Sequence, residues 1–174
     1  FKEMIFDGHF CFLTGDLTTE NMTVFPEWLM EHFKLGDEKI SLMENSQVKM
    51  VPYKELKLPC SATVKKAFEQ IDLEFRTAFE KGYEGVSKLD EKLVFQWSGR
   101  IVYGLLYLEM LGEWEHSQKL GKEFDMAPQL KNHLGMFHLM MQSVVEPISF
   151  GERKPWSIVV FPLKYSADIL SFRD

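Results

Sequence analysis

Two short segments carry the residue types and spacing of a metal-binding turn. Cys11-Phe12-Leu13-Thr14-Gly15 and Cys60-Ser61-Ala62-Thr63 both read Cys-x-x-Thr. In a zinc knuckle, Cys-x-x-Cys sets two thiolates on one tight turn, and two knuckles complete a tetrahedral four-sulfur site. Gly15 follows the first segment, as a knuckle turn needs, and the second runs into a long helical pattern. In each, the second sulfur is replaced by a hydroxyl. A neutral threonine oxygen is a poor zinc ligand, so two thiols and two hydroxyls make a weak site.

The remaining chemistry-bearing residues form no recognisable constellation. None of His9, His32, His116, His133 and His138 has the spacing that turns two imidazoles toward one metal. His133 and His138 diverge by about 140° around a helix. All five read as core or surface histidines. Phosphate-cradling glycine loops and a Gly-x-Ser-x-Gly elbow are both missing. Acidic pairs such as Asp37-Glu38 and Asp90-Glu91 read as solvated faces, and Met136, Met140 and Met141 as helix core filler.

Composition narrows the classes further. A chain of 174 residues, 45% apolar and 26% charged, can bury a core without metal or disulfide. Its net charge of −6 argues against gripping nucleic-acid phosphates. Two cysteines are too few for a secreted disulfide framework and fit a reducing compartment, so the expected location is cytoplasmic. No apolar run reaches the roughly 18–20 residues of a membrane span. The chain opens on Phe1 and closes through the apolar Ile169-Leu170-Ser171-Phe172, which reads as a piece trimmed from a longer protein.

The elements that would position these residues fall into two textures. Up to Cys60 the pattern is β-rich and irregular: a strand or hairpin over Ile5–Leu13, a turn at Thr14-Gly15-Asp16, a short helix over Pro26–Leu35, and a strand over Val48–Tyr53. Beyond it, three- and four-residue spacing predicts helices over Ser61–Lys81, Asp90–Leu111 and Pro128–Val145. The stripe of the second runs through Leu93, Val94, Trp97, Ile101, Gly104, Leu105, Leu108 and Leu111, with Gly99 and Gly104 read as close-packing positions. Trp156–Phe161 predicts a short buried strand. The sum is one α+β domain with a small β-containing head over 1–82, a mainly helical extension over 83–174, and a C-terminal strand.

The order of these features resembles HNH-endonuclease-like proteins built on a treble-clef zinc fold. Their usual run is Cys-x-x-Cys-Gly, then Glu-His-(apolar)₂-Pro-x-Trp-Leu, a strand, and a second Cys-x-x-Cys-Asn opening a helix. Here Cys11-x-x-Thr14-Gly15 is followed by Val24-Phe25-Pro26-Glu27-Trp28-Leu29, then Val48–Tyr53, then Pro59-Cys60-x-x-Thr63-Val64. Val94-Phe95-Gln96-Trp97 and Ile101-Val102-Tyr103-Gly104 are similar to the helical body that follows.

Matched residue by residue, the family's general-base histidine falls on Thr23 and the asparagine after the second knuckle on Val64. A threonine cannot take a proton from water near neutral pH, and a valine can orient nothing. The resemblance therefore implies a zinc-free, treble-clef-like ββα head and a pseudoenzyme with a degenerate zinc site, without cofactor, working as an interaction or structural module with a protein partner. It also implies that Cys11, Thr14, Cys60 and Thr63 form a small cluster whose thiols and hydroxyls hydrogen-bond locally. Two alternatives stand beside it. One is an active nuclease or nucleic-acid binder recruiting His9 or His32. The other is an acidic protein that covers a basic surface of its partner.

Overall fold

The computed structural model describes residues 3–44, 47–148 and 154–162, and the fold is α+β. The head carries two small antiparallel sheets. In the first, β1 (Asn21–Thr23) pairs β4 (Lys57–Pro59), with Met22 opposite Leu58. In the second, β2 (Lys39–Glu44) pairs β3 (Gln47–Pro52), with Lys39 opposite Pro52. The predicted strand over Val48–Tyr53 is thus β3, and Pro52 stands at its end, where a missing N–H does least harm. Its partner β2 was not anticipated. Between the sheets lies α1 (Glu27–His32), with Pro26 at its N-cap.

The helical body comprises α2 (Ala62–Phe79), a single turn α3 (Tyr83–Val86), α4 (Glu91–Lys119) and α5 (Pro128–Gln142). Local chemistry sets their starts. The Ser61 hydroxyl accepts from the Val64 N–H and the Asp90 carboxylate from the Lys92 N–H, each satisfying an orphan donor. Helix α4 runs eight residues past the predicted Leu111 and ends in a Schellman turn. There Gly121 takes φ +63° and the Lys122 N–H donates to the Ser117 carbonyl at 2.9 Å.

The core lies where α2, α4 and α5 meet the β1–β4 ladder and the Cys11–Leu13 turn. Gly104 lets α4 approach that ladder: a Cβ there would stand 2.9 Å from Leu58 Cδ1 and 3.3 Å from Val24 Cγ1. Gly99 does the same toward Met141 Sδ, as expected of both positions. The stripe of α4 is rotated from the expected one. Gln96, Gly99, Arg100, Tyr103 and Tyr107 are buried, whereas Leu93, Trp97, Ile101, Leu105, Leu108 and Leu111 are only half-buried. A helix apolar on nearly every side gives periodicity little to measure.

Two predicted strands are corrected. Residues 5–13 form irregular chain with turns at 8–9 and 12–13 and one isolated bridge, Phe10 to Leu17. Asp7 bends the segment by accepting from the His9 N–H through its side chain and the Phe10 N–H through its carbonyl. The predicted C-terminal strand, Trp156–Phe161, has no ladder partner among the described residues and is not buried throughout: Val159 is 77% and Phe161 62% exposed. It is held to α4 by its aromatic end, Trp156 stacking on Phe95 at 5.0 Å. Helix α5 also ends at Gln142 rather than Val145. Among the described residues, no helix is long and apolar enough to cross a membrane.

Candidate functional site

Two neighbouring features of the head fall on the positions singled out in the sequence. The first is the Cys11–Gly15 turn. Gly15 donates to the Cys11 carbonyl at 2.9 Å, and Cys11 N–H donates to Asp16 at 2.7 Å. Gly15 sits at φ +66°, a conformation open to glycine, and a Cβ there would lie 3.1 Å from Ile5 Cδ1. The turn is stitched to the start of α2. Phe12 N–H donates to the Pro59 carbonyl at 2.8 Å, and the Thr18 hydroxyl to the Cys60 carbonyl at 2.7 Å.

Cys11 and Cys60 are consequently both buried, and both are free thiols. Burial first, and the neighbouring Cys11 second, push the Cys60 thiol up to about 11, so it is protonated at neutral pH and unreactive. Thr14 is buried beside them, its hydroxyl without a hydrogen-bond partner. Thr63 is exposed on the first turn of α2. The turn thus brings together three of the four knuckle positions, and the expected local hydrogen bonding does not reach the Thr14 hydroxyl. Two thiols and one neutral hydroxyl are too few and too poor a donor set for a tetrahedral zinc ion. No group of three or more His, Cys, Asp or Glu suited to a metal occurs among the described residues.

The second feature is a cleft of about 550 Å³ between β1, the start of α1, α2 and α4. Thr23 lies at its wall, and its hydroxyl donates to the Phe25 carbonyl at 2.6 Å. Val64 is fully buried in the core. Arg100, only 3% exposed, forms the inner end of the cleft. Its Nη1 donates to Asp72 Oδ2 at 2.5 Å and its Nη2 to the Thr23 carbonyl at 2.6 Å, while the guanidinium stands over the Phe68 ring. One cation therefore ties β1, α2 and α4 together.

Burial raises the pKa of Asp72 against the downward pull of Arg100 and Trp97, and burial lowers that of Arg100 against the pull of Asp72. The outer cleft mixes signs, Lys57 and Lys65 with Glu27 and Glu69. It contains no imidazole. His9 is exposed and pairs with Asp7, and His32 packs edge-on against Phe79; neither lines the cleft.

Sequence reasoning missed Asp72 and Arg100. Their signal was a charge at a core-facing helical position, Asp72 beside Ile71 and Phe75, Arg100 beside Ile101 and Trp97. It also missed a second buried hydrogen-bonded chain, one turn further along α4. There Tyr103 Oη meets His138 Nδ1 at 2.6 Å, His138 Nε2 meets Gln142 Nε2 at 3.0 Å, and Gln142 reaches the Leu13 carbonyl at 3.3 Å.

No family model, curated protein or solved structure matches the chain.

Proposed function

We propose that this chain is a non-catalytic, HNH-endonuclease-like protein whose zinc-free head serves as the scaffold of an interaction or structural module. The supporting arrangement is a short β1–β4 ladder leading into α2, with Cys11 and Cys60 at its base and Thr23 at the end of β1. The observation that carries the proposal is the Arg100 clamp. In the cleft beside Thr23, a guanidinium fixed by Asp72 and the Thr23 carbonyl occupies the inner end. Arg100 stays protonated and cannot act as a base toward water, and it engages Asp72 through Oδ2. The free buried thiols fit a cytoplasmic location.

Elemental analysis of the purified protein, a thiol titration in denaturant, and a cleavage assay on single- and double-stranded DNA with Mg²⁺ or Mn²⁺ test this reading. The expected result is no zinc, two titratable thiols and no cleavage. Stoichiometric zinc would overturn it, as would cleavage that His9→Ala or His32→Ala abolishes.

A further inference from the structure

A trough of about 870 Å³ lies away from the head, between residues 3–6, residues 123–126 and one face of α5. Its walls are soft and apolar. Met4 and Phe6 face Phe124 and Met126, and the Phe6 and Phe124 rings meet edge-on at 5.7 Å. Its floor is a helical ladder. Lys131, Gly135, His138 and Gln142 recur at three- and four-residue spacing, a length of roughly 16 Å along the helix. Gly135 leaves the floor low, because a Cβ there would meet only Met4 Cε, at 3.9 Å. Met136, at the edge, is 57% exposed.

The rim is acidic. Glu3, Glu123 and Asp125 are exposed and have no ion-pair partner among the described residues, against one basic residue, Lys131. In residues 123–126 the charges point outward while Phe124 and Met126 are half-buried.

We infer that this trough is a docking site for a protein segment that is apolar on one side and carries lysine or arginine on the other. The inference rests on the reading of the chain as an interaction module and names the face that would do the work. Length favours a segment over a compact molecule, because three turns of floor suit a helix lying along α5. Methionine and phenylalanine walls repack around varied apolar side chains. Three unpaired carboxylates complement cationic flanks and repel acidic ones, which sets partner choice.

The test uses the whole chain and a labelled synthetic helix of about 14 residues, with leucines at three- and four-residue spacing and lysines elsewhere. Fluorescence anisotropy should show saturable binding. Glu123→Lys with Asp125→Lys should weaken it roughly tenfold. Glu74→Lys with Glu84→Lys, the same change in net charge on α2 and α3, should shift it less than about twofold. Gly135→Leu should fold with an unchanged or higher Tm, since leucine favours helix over glycine, yet abolish binding by filling the floor. Methyl resonances of Met4, Met126 and Met136 should move on titration.

Absent binding, equal weakening by the two charge-reversed pairs, or wild-type binding by Gly135→Leu would each overturn the site. None of these outcomes bears on zinc content or cleavage, so the failure of this inference is distinguishable from failure of the proposed function.

Discussion

Helix α4 carries a polar cluster on each of two flanks, and the two are built on different physics. Toward the head, Arg100 and Asp72 form a charged clamp that also holds the Thr23 carbonyl. Toward α5, Tyr103, His138 and Gln142 form a chain of hydrogen bonds ending on the Leu13 carbonyl. Both fasten the irregular N-terminal part of the chain to the helical body. A buried ion pair is expensive to break from one side, because the partner left behind is a desolvated charge. Cutting the Tyr103 hydroxyl–imidazole contact removes a single hydrogen bond, the smaller loss. The difference teaches that the head depends more sharply on one residue than the α5 side does.

The largest expected effect follows directly. Arg100→Met should lower unfolding free energy by about 3–5 kcal/mol, because it leaves the largely buried Asp72 carboxylate without its guanidinium. Arg100→Met combined with Asp72→Leu should recover much of that loss, and urea denaturation of the double-mutant cycle reads the coupling. If the single and double variants lose the same amount, the charged clamp contributes nothing special.

Next comes a pH effect in the head. The Cys60 thiol titrates near 11 in the fold against an ordinary value of 9.0. Between those values the unfolded chain has lost a proton that the native protein keeps, so stability falls as pH rises from 9 toward 11. The loss attributable to this thiol is about 2–3 kcal/mol, read as the difference between the wild-type protein and Cys60→Ala over that range.

Tyr103→Phe sharpens the other side of the comparison. It should cost about 1–2 kcal/mol by leaving His138 Nδ1 without its phenol, well below the Arg100 value. The smallest effect is at a cap that belongs to neither cluster. Ser61→Ala should cost about 1 kcal/mol in thermal or urea melts, because its bond to the Val64 N–H is long, 3.4 Å.

The legible part of this structure was the part with a strong local period. Helices α2 and α5 stand close to where spacing, caps and flanking prolines put them, and α4 runs past the end of its apolar stripe to stop at Gly121. The head was far less legible. Strands β1 and β4 are three residues each, too short for alternation to register against background. Residues 5–13 alternate in hydropathy although their backbone is irregular and broken by turns, because such a segment packed on a core also buries some side chains and exposes others. The Cys11–Gly15 turn was readable from spacing and glycine alone. The Arg100–Asp72 pair was not, since charged residues are assigned to solvent by default and only tertiary packing brings together partners 28 positions apart.

The bond from Gln142 to the Leu13 carbonyl joins residues 129 positions apart, and Tyr107 reaches the Ile5 carbonyl across 102. This early turn is therefore completed by residues at the end of the last helix among the described residues. During synthesis at about 5–20 residues per second, Leu13 would wait on the order of 6–26 s before its partner is even translated. Phe12 and Leu13 leave the ribosome long before the helices that cover them, so this stretch is apolar surface without its cover while the rest is made.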